Sequence, residues 1–294
     1  MTCCLLPIRA RVEPTFARPI ATDLNRTKEL APLIRELAPN AVVISESGIY
    51  THQQVRDLST FADGFLIGSS LMAEKNLELA VRKVTLGENK VCGLTHSVDA
   101  AKAYQAGAVF GGLIFVEASK RYVDIEAARL TMSGAPLNYV GVFQNHSVTD
   151  VAKTVSELGL FAVQLHGDES QAYVDELKQS LPESVEIWKA YGVASGADSG
   201  AKSSLPELLE SNVTRHLLDT KVGSQTGGTG QVFDWNLINN QSAIMLAGGL
   251  NPENANQAAK LGCLGLDLNS GVESAPGKKD AEKLQRAFAA IRNY

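Results

Sequence analysis

The chain has 294 residues, of which 45% are apolar and 20% charged, and a formal net charge of −5 at pH 7. A length of this order suits one large barrel, or one barrel and a smaller piece, with ample material for a core. The chain has no basic stripe, no run of like charge and no apolar run of 18 residues, which argues against nucleic-acid binding, a charged tail and a membrane span.

Taken in chain order, residues 1–8 are apolar and precede two arginines but lack the length and order of a signal peptide. Residues 25–37 read as a helix, 41–45 and 64–67 as buried parallel strands, and 53–58 and 75–84 as helices. Two strands cannot close a barrel. Their edges and apolar faces would stay uncovered, so this segment is expected not to be stable by itself.

From residue 90 the alternation of strand and helix runs through eight units. Strands are expected at 90–94, 109–115, 138–143, 161–165, 185–190, 216–219, 243–247 and 265–268. Helices are expected at 98–106, 125–132, 148–158, 169–179, 252–261 and 281–291, with weaker patterns after the fifth and sixth strands. Eight β-then-α units in this length predict a (β/α)8 TIM barrel, an α/β fold preceded by a partial barrel with two parallel strands.

A spacing recurs. Gly48 and Ser69 follow the two early strands 21 residues apart, and Gly249 and Ser270 follow strands seven and eight at the same interval. Both stretches read as the strand 7–strand 8 corner of related barrels, where this fold usually binds phosphate. Gly248, Gly249, Ser270 and Gly271 could let the backbone approach an anion, or could simply be tight turns.

Cys92 stands near the C-terminal end of the first barrel strand, beside Gly93. It could be an inert buried thiol, or a general base if its pKa is lowered. Asp219 follows two apolar residues at the end of strand six, where it could cap a loop or act as a general acid. Asp267, within strand eight, is expected to position neighbours or substrate hydroxyls, and Arg121, after strand two, could pair with a substrate carboxylate or stay in solvent. His166 is expected to line a pocket. The glycine-rich residues 226–230 lack the ending of a P-loop and could form a lid, and residues 233–235 read as a helix start. The five histidines have no metal-ligand spacing, and Cys3, Cys4, Cys92 and Cys263 form no C-x-x-C pair. A reduced, cytoplasmic protein without metal is the expectation. The residues alone thus point to a barrel enzyme acting, without a cofactor, on a small phosphorylated substrate.

In this order the stretches 90–95, 119–123, 141–145, 162–167, 217–221, 227–235, 246–253 and 267–279 resemble phosphoribosylanthranilate isomerase over residues 90–294. The resemblance implies an Amadori rearrangement of N-(5-phosphoribosyl)anthranilate to 1-(2-carboxyphenylamino)-1-deoxyribulose 5-phosphate, in tryptophan biosynthesis. It implies Cys92 as general base, Asp219 as general acid, Arg121 on the anthranilate carboxylate, Gly249, Ser270 and Gly271 in the phosphate site, and no cofactor. A monomer is expected. The histidine-pathway isomerase is the rival within the class, but that family relies on paired aspartates. A non-enzymatic, aggregation-prone product is the rival outside it.

Residues 21–89, through the stretches 23–27, 43–49 and 64–72, resemble the C-terminal end of indole-3-glycerol phosphate synthase. Glu46 and Ser47 match its active-site positions and Gly48, Gly68 and Ser69 its phosphate site. Its catalytic lysines lie on earlier strands with no counterpart here, and residues 1–20 resemble neither family, so a truncated synthase without synthase activity is expected.

Overall fold

The computed structural model describes residues 9–12, 23–194, 205–209, 211–222, 225–226, 232–238 and 243–292. The fold divides into two compact units at Gly87/Glu88.

In the first unit the elements run β1 (Arg9–Val12), α1 (Asn25–Leu37), β2 (Val42–Glu46), α2 (His52–Ser59), β3 (Gly64–Leu66), α3 (Ser69–Met72) and α4 (Leu77–Leu86). The two expected strands, β2 and β3, pair in parallel, and β1 adds a third parallel strand against β2. Side chains lock the register: the Asp63 carboxylate accepts from the Val43 N–H at 2.8 Å and from Arg35 at 3.0 Å, and Thr27 and Ser45 hydroxyls meet at 2.9 Å in the interior. Thr51 and Gln54 form a reciprocal capping box at the start of α2. Two small apolar clusters, one around Val43 and one around Leu58, hold the unit together.

The second unit continues with β4 (Lys90–Val91), α5 (Ser97–Ala106), β5 (Phe110–Ile114), α6 (Ile125–Met132), β6 (Asn138–Phe143), α7 (Val148–Leu158), β7 (Ala162–Leu165), α8 (Gln171–Ser180), β8 (Glu186–Ala194), β9 (Arg215–Val222), β10 (Gln225–Thr226), β11 (Ile244–Leu246), α9 (Ala255–Lys260), β12 (Gly265–Leu268), the hairpin β13 (Glu273–Ala275) and β14 (Lys278–Lys279), and α10 (Ala281–Arg292). Strands β4 to β9, β11 and β12 pair in parallel around a closed ring, with β12 returning to β4. This is the predicted eight-stranded barrel. Asp124, Ser147 and Ser170 cap α6, α7 and α8 with side-chain oxygens, so each helix starts where the preceding strand has delivered the chain.

One end of the barrel interior is filled by the first residues of the strands. Phe110 and Trp188 meet edge-to-face at 4.9 Å, among Val140, Ala162, Leu217 and Met245. Arg215 lies 5.3 Å from the Phe110 ring and 5.1 Å from the Trp188 ring, and its charge is answered by Glu88 and by Glu186 at 2.9 Å. With the N-terminal end plugged, the opening is at the C-terminal strand ends.

Three departures from the sequence expectations have local causes. β4 stops at Val91 because Gly93 takes φ +69°, turning the chain out of the strand. β8 and β9 run past their expected ends because they pair with each other from Trp188↔Arg215 to Ala194↔Lys221. The β13–β14 hairpin turns on Pro276 and Gly277, the latter at φ +79°. The expected lid lies mostly outside the described residues, while the expected helix start at 233–235 becomes a short 3-10 turn, Trp235–Leu237, capped by Asp234. No helix among the described residues is long and apolar enough to cross a membrane.

Candidate active site

Alternation along a strand places Lys90 and Cys92 on the same side of the chain, toward the barrel interior. Asp267 on β12 is the register partner of Lys90, and the Lys90 ammonium donates to Asp267 Oδ2 at 2.7 Å with both groups buried. The Lys90 charge also acts on the Cys92 sulfur. Gly112 on β5 makes this arrangement possible. A Cβ there would lie 2.6 Å from Cys92 Sγ and 3.0 Å from Lys90 Cε.

Burial pushes the Cys92 thiol up, Lys90 opposes this, Asp267 reinforces it, and the net direction is upward. The condition under which Cys92 could serve as a general base, a lowered thiol pKa, is therefore not supplied by the side chains around it. Burial works against the Lys90 ammonium too, but the Asp267 carboxylate and the Cys92 sulfur outweigh it and hold Lys90 charged.

Asp219 on β9 is buried, with Oδ2 at 3.4 Å from His166 Nε2. Its Oδ1, the Oδ1 of Asp267 and the Oε1 of Gln164 are buried acceptors with no hydrogen-bond partner among the described residues. Buried polar atoms are usually paired, so three such acceptors in one place are suited to a polar ligand. All three residues line a cavity of about 500 Å³, together with Cys92, Arg121, His166, Gly248, Gly249 and Ser270. Apolar walls come from Ile114 and Val142, which pack with Cys92.

Gly248 takes φ +86°, and a Cβ there would sit 2.3 Å from Thr220 Oγ1 and 2.8 Å from Asp219 Oδ1. Only glycine lets the loop after β11 pass this close to Asp219. The structure thus brings seven of the eight predicted site residues to one cavity. Gly271 lies outside the lining and packs on the carbonyl of Leu250, 2.0 Å from where its Cβ would be.

Arg121 is tied to Glu273 of β13 by paired bonds, Nε to Oε1 at 2.9 Å and Nη2 to Oε2 at 2.7 Å. Glu273 also accepts from Lys279 Nζ at 2.7 Å, and Lys279 reaches Asn269 Oδ1 at 3.1 Å. Burial disfavours the Glu273 carboxylate, but Arg121 and Lys279 outweigh burial and hold it below the usual range. Glu169, buried after β7, behaves alike. Burial is outweighed by the N–H of Asn145 at 2.8 Å and by Lys189 at 2.9 Å.

A stability consequence follows from these two depressed carboxylates. A group whose folded pKa lies below its unfolded value stabilises the fold above the unfolded pKa, here 4.5, and that contribution is lost as pH falls through the folded pKa. The melting temperature should fall gently below pH 6.5, where burial resists protonation of His52 and His216 in the fold, and more steeply below pH 4.5 as these carboxylates take up protons. Glu169→Gln should be less stable near neutrality and lose less on acidification; parallel curves for variant and wild type would contradict this.

Glu273, Lys279, Gln164 and Lys90 were not singled out from the sequence. The signal for Lys90 was its i,i+2 relation to Cys92, and for Gln164 its position two residues before His166 on one strand face. Glu273 and Lys279 flank Pro276–Gly277, a turn signal that folds them together. Among the described residues no cluster of three or more His, Cys, Asp or Glu is placed to hold a metal ion.

Fold and site together define a (β/α)8 barrel with a pocket lined by ionisable groups at the C-terminal ends of its strands. Residues 89–290 match the N-(5'phosphoribosyl)anthranilate (PRA) isomerase family, and the chain belongs to it. Residues 18–84 match indole-3-glycerol phosphate synthase. The chain is 76% identical over 277 residues to the tryptophan biosynthesis protein TrpCF of Vibrio parahaemolyticus, covering 94% of this chain and 56% of that protein. It is 68% identical to TrpCF of Vibrio cholerae, covering 94% and 57%. The chain therefore spans just over half the length of these curated relatives. Among solved structures, phosphoribosyl anthranilate isomerase from Thermus thermophilus aligns with a TM-score of 0.59 at 32% identity, over 69% of this chain and 98% of that one. An isomerase solved with reduced 1-(o-carboxyphenylamino)-1-deoxyribulose 5-phosphate aligns with a TM-score of 0.55 at 30% identity, over 71% and 100%.

Proposed function

We propose that residues 90–294 isomerise N-(5-phosphoribosyl)anthranilate to 1-(2-carboxyphenylamino)-1-deoxyribulose 5-phosphate, an Amadori rearrangement in tryptophan biosynthesis, in the cytoplasm and as a monomer. The observation that carries this reading is the convergence of Cys92, Asp219 and Arg121 with Gly248, Gly249 and Ser270 on one cavity of about 500 Å³.

Asp219, in its protonated form, gives a proton to the ring oxygen. The bond from that oxygen to the anomeric carbon breaks, and the nitrogen lone pair forms an iminium with that carbon. Cys92, as thiolate, then removes the proton from the adjacent carbon, and the electron pair neutralises the iminium to give an enolamine. That enol tautomerises to the ketone. Arg121 holds the anthranilate carboxylate and the glycine corner holds the phosphate, fixing the reacting carbon at the acid–base pair. Asp267 keeps Lys90 in place and offers its free Oδ1 to a substrate hydroxyl. The resemblance of residues 21–89 to indole-3-glycerol phosphate synthase gains support from the family match over residues 18–84. The described residues of that unit hold three parallel strands rather than a closed barrel, and we expect no synthase activity from this 294-residue chain.

The test is loss of phosphoribosylanthranilate fluorescence on adding purified protein, with indole-3-glycerol phosphate followed in the same sample. Isomerised product without indole-3-glycerol phosphate is the expected result. A folded protein that leaves the fluorescence unchanged would overturn the isomerase reading.

A further inference from the structure

Arg121 is gripped from two sides. Its aliphatic stem crosses Gly93, whose absent Cβ would lie 2.5 Å from Arg121 Cδ. Its Nε–Nη2 edge is taken by Glu273 through bonds of 2.9 Å and 2.7 Å. A guanidinium presents its donors in a rigid planar fork, so occupying one edge determines which edge is left for a ligand. Here the remaining edge is the Nη1–Nη2 end, on a residue that lines the cavity.

Glu273 is in turn fixed by Lys279 at 2.7 Å and by the Gly277 N–H at 3.3 Å, while Lys283 donates to the Glu273 carbonyl at 2.7 Å. The side chains of Glu273 and Lys279 are 4% and 0% exposed, so neither can rotate away without breaking the core. Arg121 and Lys279 together bring two positive charges to one Glu273 carboxylate. Burial pushes the Lys279 ammonium down, whereas Glu273 raises the Arg121 guanidinium, so Arg121 is the firmly charged member of the cluster, and it lines the cavity. Asp267, also in the lining, is paired with Lys90. An anionic group on the substrate is thus drawn to Arg121 and not to Asp267.

We propose that Glu273 is a positioning residue that sets selectivity for a carboxylate-bearing substrate, by holding the Nη1–Nη2 end of Arg121 toward the cavity. This rests on the isomerase reading and adds to it. Arg121 without Glu273 keeps its charge but loses its direction, and a charge without direction attracts a carboxylate and a phosphate alike.

The experiment is calorimetric binding of two ligands to the full chain: the reduced product analogue carrying the ortho-carboxylate, and its counterpart with an unsubstituted phenyl ring. For the wild type the carboxylate should tighten binding. In Glu273→Gln the ratio of the two affinities should fall about tenfold or more, as expected for losing a directed charge-assisted bond. In turnover the loss should fall on KM for phosphoribosylanthranilate more than on kcat, because the contact serves ground and transition states alike. In an Arg121→Ala background Glu273→Gln should lower the ratio no further. Weakening of both ligands in parallel, or an undiminished effect in the Arg121→Ala background, would overturn the role of Glu273. Should Glu273→Gln fail to fold, Glu273→Asp keeps the buried charge and withdraws the fork. A folded Glu273→Asp protein with the wild-type ratio would equally overturn it. Wild-type protein that binds neither ligand would instead refute the isomerase reading.

Discussion

Replacing Cys92 by alanine is expected to lower kcat by about 10²–10⁴-fold, the usual contribution of a positioned base. KM should change little, because the sulfur meets the carbon-bound proton and not the carboxylate or the phosphate. Removing a small buried side chain also leaves a small cavity, but the apolar cluster of Cys92 is small, holding Ile114, Val142 and Val116, so the fold should survive. Asp219→Asn should cost a similar factor through the other half of the reaction, since an amide cannot deliver the proton that opens the ring. Because burial pushes the Cys92 thiol up from its ordinary value of 9.0, kcat/KM should keep rising with pH into the alkaline range as the thiolate forms. In Cys92→Ala that rise should vanish. Steady-state kinetics across pH for the three proteins settles the matter: a Cys92→Ala enzyme with the wild-type rate and pH dependence would remove the thiol from the mechanism.

Most of this site was legible before any coordinates, because a barrel of parallel strands converts position in sequence into position in space. Once the strands after Lys90 are read as eight, residues at their C-terminal ends face one opening, and Cys92, Asp219 and Asp267 fall there by arithmetic. The glycine corner was legible for a related reason, since left-handed turns tolerate few residues besides glycine. Side-chain partnerships were not legible. Glu273 and Arg121 are 152 positions apart, and Lys90 and Asp267 are 177 apart. Nothing local in either member names the other. The ring closure that pairs β12 with β4 is what joins the second pair. Strand ends were misjudged where one backbone angle decides them, as at Gly93, or where a neighbour extends the pairing, as between β8 and β9.

That Lys90–Asp267 pair should make the largest single difference to stability. Lys90→Met preserves the length of the stem and removes only the charge and its donors. Asp267 is then a buried carboxylate without its cation, a change that typically costs about 3–5 kcal/mol. The cost should depend on pH, and its sign can be worked out. In the wild type the folded pKa of Lys90 is raised, so the pair's stabilisation is present below the ordinary lysine value of 10.5 and lost only as pH rises through the folded value. In the variant Asp267 is relieved when it takes a proton, because a neutral carboxyl needs no counter-charge. Burial already raises the folded pKa of Asp267 in the wild type, against the pull of Lys90, and without Lys90 it should rise further, so Lys90→Met should lose more stability than the wild type, and over a higher pH range, as pH rises. Adding Asp267→Asn to the variant removes the stranded charge and should recover part of the loss and flatten its pH dependence. Urea unfolding of the three proteins at mildly acidic and mildly alkaline pH reads this directly. A Lys90→Met protein as stable as wild type at alkaline pH would mean that the ammonium contributes nothing to the fold. The same variant links stability to chemistry, since Lys90 is also the cation beside Cys92. Without it the thiol should be still harder to ionise, and the rising limb of kcat/KM should move to higher pH than in the wild type.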